Sequence, residues 1–370
     1  MRYAKKFKMI PLVRPYLTGN ELRYAQECIQ TGWISSLGKF VAKFEEDFSD
    51  FCGCRYGIST CNGTAALHLA LRVLGIGKND EVIVPDLTFI ATANAVSYLG
   101  ARPVFVDSEM TTWNMDPLQI ESKITPKTKA IIVVHLYGHP AQMDIILEIA
   151  RRHNLYVIED ACEAHGALYK VKKIGSIGHL GVFSFYGNKI ITTGEGGMIV
   201  ANNKKFADRA KFLRDHAMSK KKRYFHSEIG FNYRITNIQA AIGSAQLENI
   251  HYFIREKIKI AKLYNMMLAN VQGITLPPKE EWAKSVYWLY SILVNNGRRD
   301  NLMMRLKDCG IETRPFFIPL HRLPPYRLKE RFPISDKLSR DGISLPSFVG
   351  IKKTEVKYIC GKIKNILVKG

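Results

Sequence analysis

The first two-thirds of the chain alternate short strand-like runs with stretches of helical periodicity, and that alternation restricts the fold more than any other feature. Helical periodicity covers residues 21–30, 40–51 and 64–74, and strand-like runs cover 56–60, 81–84, 103–106, 130–134 and 156–159. Strands that alternate with helices build parallel βαβ units. The run Ala130-Ile-Ile-Val-Val134 has no in–out alternation, as expected of a strand covered on both faces. From about residue 236 the pattern changes. A long amphipathic helix, with room for a kink, is expected over 237–271, then a strand over 286–294 and helices over 301–309 and 355–367. A chain of 370 residues exceeds what one hydrophobic core supports. The expected fold is α/β: a large domain over 1–245 with a mixed, mostly parallel sheet, and a smaller α+β domain over 246–370.

Composition narrows the compartment and the partners. No apolar run approaches the length of a membrane span. The segment Met9-Ile-Pro-Leu-Val13 is interrupted by Pro11 and too short for a signal-peptide core. Seven cysteines without paired zinc spacing indicate neither a zinc site nor a disulfide framework. A cytoplasmic protein with no integral membrane segment and no metal is expected. The formal net charge is +21, yet the lysines are dispersed, with one compact run at Lys220-Lys-Lys-Arg223. No helix-turn-helix or aromatic-interleaved pattern accompanies them, so no nucleic-acid partner is expected. The excess reads mainly as lysine-rich composition, with attraction for a phosphorylated small molecule as its functional remainder.

Lys189 stands in Phe183-Ser-Phe-Tyr-Gly-Asn-Lys-Ile-Ile-Thr-Thr-Gly-Glu-Gly-Gly197, after a short strand and before a glycine-rich turn. An amine held at a sheet edge suits Schiff-base chemistry, by which enzymes anchor pyridoxal phosphate. Such chemistry needs a phosphate cradle, a partner for the pyridine nitrogen and a group that stacks on the ring. Asn62-Gly63-Thr64-Ala65 opens a helix after a strand, where unpaired amides, the helix dipole and a hydroxyl favour phosphate. Ser184, just before Lys189, is a second hydroxyl for the same phosphate. Glu159 and Asp160 close a strand at its carboxyl end, where ligands of open α/β sheets gather. Successive strand residues face opposite ways, so only one of the two can serve the nitrogen, and Asp160 is the expected one. Phe89, in Asp86-Leu-Thr-Phe-Ile-Ala91, is placed to stack on the ring or to pack in the core.

Taken in order with His135-Leu-Tyr-Gly138 and Glu159-Asp-Ala-Cys-Glu-Ala-His-Gly166, these segments resemble the DegT/StrS-type sugar aminotransferases over essentially the whole chain. The resemblance implies a homodimeric pyridoxal 5′-phosphate enzyme of fold type I, the aspartate aminotransferase-like fold, acting on nucleotide-linked ketosugars. It implies Lys189 as the Schiff-base lysine and Asp160 as the partner of the pyridine nitrogen. Gly63, Thr64, Ala65 and Ser184 would surround the phosphate, and Phe89 would stack on the ring. Asn232, in Gly230-Phe-Asn-Tyr-Arg234, would reach the neighbouring subunit's cofactor, so that active sites are shared. Glu163 stands where many members carry glutamine, and beside the cofactor's 3-oxygen it would have to be protonated or turned away.

Further segments are similar to the perosamine-forming subgroup: Arg214-Asp-His-Ala-Met-Ser219, Arg223-Tyr-Phe-His226 and Glu312-Thr-Arg-Pro315 with Pro319 and His321. They bring Tyr224, His226, Arg314 and His321 forward as sugar-nucleotide contacts. Ala217 and Phe225 replace a usual glycine and a common tryptophan, which bears on the substrate and leaves the chemistry intact. The implied reaction moves the amino group of L-glutamate to C4 of GDP-4-keto-6-deoxy-D-mannose, for surface polysaccharide (O-antigen). A UDP- or dTDP-linked ketosugar is the alternative substrate, and a non-catalytic pyridoxal-phosphate-binding regulator the alternative of another kind. Relatives that dehydrate their substrate carry histidine at the lysine position, so Lys189 argues against that reaction.

Overall fold

The structure is a computed structural model that describes residues 9–369. Seven strands form its main sheet: β1 (Tyr56–Thr60), β2 (Glu81–Pro85), β3 (Arg102–Val106), β4 (Thr128–Val134), β5 (Tyr156–Asp160), β6 (Leu180–Ser184) and β7 (Gly197–Ala201). Their spatial order is β1-β7-β6-β5-β4-β2-β3. Only β7 runs against the others, pairing antiparallel with both β1 and β6. The sheet is therefore mixed and mostly parallel, as the alternation of elements requires.

The unbroken apolar runs are explained by two cores, one on each face. Ile131 and Val133 of β4 join one cluster with Phe44 and Phe48 of α2 (Lys39–Cys52). Ala130 and Ile132 join the other, with Leu67 and Leu71 of α3 (Gly63–Val73). From Ala130 to Val134 neither face of the strand meets water, so burial selects apolar residues throughout that run.

The expected helix over 237–271 is two helices, α4 (Asn237–Glu248) and α5 (Ile250–Leu268), which meet at Asn249. A capping box of Thr236 and Gln239 starts α4 by satisfying the first free amides. The first helix packs on α2, beside the main sheet, whereas α5 packs on a C-terminal helix, Lys353–Lys369. The break lets each helix follow its own core. A second, four-stranded sheet lies beyond it, with β8 (Ile274–Thr275), β9 (Tyr290–Val294), β10 (Arg314–Pro315) and β11 (Gly342–Leu345) in the order β8-β9-β11-β10. The strand expected over 286–294 begins only at Tyr290, because Tyr287 is left-handed, with φ 50°. The N-terminal segment joins this second unit: Ile10 donates to the Gly310 carbonyl at 2.8 Å and accepts from the Glu312 amide at 3.0 Å. Among the described residues, no helix is long and apolar enough to cross a membrane.

The end of β5 fixes the centre of the molecule. Glu159 is fully buried, and its carboxylate accepts from the amides of Gly175 (2.9 Å), Ile177 (2.7 Å) and Gly178 (2.6 Å). His135 lies 3.2 Å away on the same carboxylate. One side chain thus organises the loop that leads into β6. Removing it leaves one buried and two half-buried donors unpaired, the buried one costing roughly 1–3 kcal/mol and the others less. Glu159→Ala is expected to lower the unfolding free energy by about 3–5 kcal/mol in urea titrations; a loss below about 1 kcal/mol would contradict this role.

Candidate active site

A cavity of about 740 Å³ opens at the carboxyl ends of β5 and β6, beside the start of α3. Trp288, Arg314 and Phe317, from beyond the α4–α5 break, close its other side. At one end, Asn62 caps α3 by accepting from the Ala65 amide at 2.8 Å. The Gly63 and Thr64 amides keep no acceptor among the described residues. Gly63 permits a close approach, since a Cβ there would sit 2.8 Å from the Ser184 Cβ. Helix start, threonine hydroxyl and Ser184 therefore converge on one spot suited to an anion.

Asp160 lines the cavity, while Glu159 turns to the opposite face, as the two-residue period of a strand demands. The Asp160 carboxylate is fixed by the Thr92 hydroxyl at 2.9 Å and by the Cys162 amide at 3.2 Å. Lys189 also lines the cavity, and its Nζ lies 3.9 Å from the centre of the Trp288 ring. Phe89 stands at the mouth, 56% exposed, with its ring 6.0 Å from that of Phe317. An aromatic left open to solvent beside a cavity has a free face to offer a ligand ring.

Burial shapes the acids and bases around Lys189. It pushes the Glu163 carboxyl up to about 7, against the opposing pull of the Lys189 charge and of the Tyr137 amide, which donates at 2.7 Å. It pushes the Cys162 thiol well up and the His165 ring down to about 3. Both ring nitrogens of His165 lack a partner within the described residues, which fits a neutral packing side chain. A neutral Glu163 in a dry wall can donate a hydrogen bond, which an ionised one cannot.

Not every sequence candidate lies at this cavity. Tyr224, His226 and Asn232 are exposed on the segment between residues 215 and 232, whose ends pair through Asp215 and Asn232. None of the three lines the chain's own cavity. His321 is buried and engaged elsewhere: its Nδ1 lies 2.7 Å from Asp86, and its amide donates to the same carboxylate at 2.9 Å. Burial raises Asp86 to about 6, opposed by these bonds to His321. The pair clasps the second unit to the loop that carries Phe89. His321 thus sits behind the cavity wall, because its only free directions are filled by Asp86 and, 3.5 Å from Nε2, Asp336. Sequence reasoning missed Trp288, whose indole N–H donates to the Asn188 carbonyl at 2.7 Å across 100 residues of chain. No local spacing signals that contact.

The donor set fits pyridoxal 5′-phosphate: free helix-start amides would suit its phosphate, a fixed carboxylate its ring nitrogen, and an amine its carbonyl carbon. A lysine in the turn after β6 and a carboxylate at the end of β5 that share one cavity have the arrangement of an aminotransferase. The aminotransferase TlmJ of Streptoalloteichus hindustanus has the same fold, with a TM-score of 0.94 at 30% identity, covering 98% of this chain and 99% of that one. The chain belongs to the DegT/DnrJ/EryC1/StrS aminotransferase family, whose profile matches residues 15–364. It is similar to GDP-perosamine synthase of Caulobacter vibrioides, 46% identical over 365 residues, 97% of this chain and 98% of that protein. GDP-perosamine synthase of Escherichia coli O157:H7 is 47% identical over 360 residues, again 97% of this chain and 98% of that protein.

The raised Glu163 carboxyl carries a test. Its ordinary value is 4.5 and its folded value about 7, so the folded chain holds this proton more tightly than the unfolded chain. The stability it contributes is present below 4.5 and lost as pH rises through 7. In cofactor-free protein, wild type should lose up to about 3 kcal/mol relative to Glu163→Gln across that window. Equal pH slopes in denaturant melts would show that Glu163 ionises freely.

Proposed function

We propose that this enzyme transfers the amino group of L-glutamate to C4 of GDP-4-keto-6-deoxy-D-mannose, giving GDP-perosamine, with pyridoxal 5′-phosphate held in the cavity. The observation that carries the chemistry is the Lys189 amine sharing one cavity with an Asp160 carboxylate pinned from two sides. The near full-length similarity to two proteins named GDP-perosamine synthase supports the substrate.

When bound, the cofactor supplies the electron sink for breaking a bond at the amino-donor carbon. Gly63, Thr64, Ala65 and Ser184 hold its phosphate, and Phe89 covers its ring. Asp160 keeps a proton on its ring nitrogen. Lys189 Nζ, once free, takes the proton from the α-carbon of the donor and hands it on within the same cavity. Glu163, neutral in its buried setting, donates to the 3-oxygen. Arg314 has no carboxylate partner within the described residues and faces the cavity, where it can anchor an acidic group of a substrate. The net charge of +21 favours approach of a nucleotide diphosphate, and the enzyme works in the cytoplasm on soluble sugar nucleotides.

The active form in this reading is a two-fold homodimer. Trp33, Ile34 and Leu37 are more than half exposed, and the Trp33 carbonyl accepts from Asn237, close after exposed Asn232. The apolar patch tied to the start of α4 is what a second copy would cover, while Asn232, Tyr224 and His226 enter its site.

Three measurements test this function. A panel of GDP-, UDP- and dTDP-linked 4-ketosugars, assayed with L-glutamate and read by product mass, should favour the GDP sugar by at least about tenfold in kcat/KM, the discrimination expected when a site's polar groups are left unpaired by the wrong base. Lys189→Ala should lose multiple turnover while staying folded, and equal turnover of a UDP or dTDP sugar would redirect the substrate. Mixing Lys189→Ala with Asn232→Ala chains should restore activity, because one of the two shared sites then has both residues intact. Asn232→Ala alone should be impaired, and absence of complementation after verified subunit exchange would mean that each chain completes its own site.

A further inference from the structure

Lys189 rests on an aromatic ring that the proposed chemistry has so far left without a role. Its Nζ lies 3.9 Å from the centre of the Trp288 indole, the closest lysine– or arginine–aromatic contact among the described residues. A cation–π contact acts within about 6 Å of the ring, and tryptophan offers the best face for one. Trp288 is 4% exposed, so little water competes for the ammonium.

The indole is held from three directions. Its N–H donates to the carbonyl of Asn188, the residue before Lys189, at 2.7 Å. The Tyr137 ring lies nearly parallel to it, at 14° and 6.2 Å. The backbone carbonyl of Trp288 accepts at 2.9 Å from Lys257, a buried amine that also reaches the Ser347 carbonyl at 2.5 Å, which fixes the main chain beneath the ring. The ring therefore keeps its place when the amine above it moves.

We propose that Trp288 is a catalytic residue of this site: its indole face seats the Lys189 amine in its protonated form whenever that amine is free of the cofactor. This rests on the aminotransferase reading of Lys189. When the α C–H bond of the donor breaks, an N–H bond forms on Lys189 Nζ and the electron pair stays on the donor side. The new ammonium needs a counterweight before it passes the proton on. The indole face supplies one without a carboxylate that would keep the proton.

Ionisable groups around Lys189 include Asp160 at the end of β5, Cys162, Glu163 and His165 after it, Tyr186 and Glu195 on either side of the lysine in sequence, Arg314 across the cavity and Lys257 behind the indole. All of them are common to the variants compared below, so differences between variants report the ring.

The test uses full-length protein carrying pyridoxamine 5′-phosphate, which leaves Lys189 unattached, and reads acetylation of Lys189 by peptide mass after pulses of acetic anhydride. Only the uncharged amine reacts. At pH 7.5, Trp288→Leu should label Lys189 about five- to tenfold faster than wild type, equivalent to roughly 1–1.4 kcal/mol of cation–π stabilisation. Trp288→Phe, which keeps a ring and loses the bond to Asn188, should label about two- to threefold faster. Surface lysines in the same digest should label alike in the three proteins, since the ring seats only Lys189. Equal labelling at pH 7.5, equal acceleration in the Phe and Leu variants, or the same acceleration at surface lysines would each overturn the proposal. If Trp288→Leu does not fold, Trp288→Phe decides, and no acceleration there overturns it as well. Wild-type protein loaded with pyridoxal 5′-phosphate is the separate control: Lys189 should be shielded from the label. Failure of that shielding would fault the Schiff-base reading and not the seat.

Discussion

The site depends on one carboxylate pair at the end of one strand. Glu159 and Asp160 are adjacent, so the pleat must send them apart. Glu159 goes inward, and its bonds to Gly175, Ile177 and Gly178 fold the loop that returns the chain to β6. Strand β6 in turn delivers Ser184 and, after it, Lys189 to the cavity that Asp160 faces. A buried carboxylate that spends its oxygens on three amides is therefore what sets the distance between the two groups proposed to do the chemistry.

The same burial that holds the frame tunes the site. Removing water raises Glu163 and Asp86 and lowers His165 and Lys257, each towards its neutral form. Neutral groups around a single reactive amine leave few competitors for its charge. Where charge does persist, it is met by fixed partners: the Thr92 hydroxyl at Asp160, the indole face at Lys189. The Asp86–His321 clasp extends this frame to the second unit, which supplies Trp288 and Arg314. A shift of that unit would move the ring and the guanidinium together while leaving Asp160 in place.

Much of the fold was legible because its determinants are local. Strand β1 at 56–60 and the helices near 21–31 and 39–52 follow from periodicity and glycine stops, and the elements fall within a residue or two of expectation. A kink had room within 237–271, but its place at Asn249 was not readable, since both helices around it are apolar on the faces they bury. Tyr287 shortened an expected strand by a backbone twist that composition does not betray. At the site, the strand-end position of Asp160 and the helix-start position of Thr64 can be read from order alone. Trp288 and the Asp86–His321 clasp cannot, because each joins residues 100 or more positions apart. His321 resembled a substrate contact by motif and is instead consumed by a buried partner.

The central claim is that one amine among the many in this chain is the attachment point, and peptide mapping tests it most directly. The protein would be mixed with an equal amount of pyridoxal 5′-phosphate, reduced with borohydride, digested and weighed. The account predicts a single modified peptide, the one containing Lys189, at about one label per chain. The informative competitor is Lys257, the buried amine that desolvation lowers to about 7 just behind Trp288. Label on Lys257, or spread over surface lysines with Lys189 unmodified, would contradict the account.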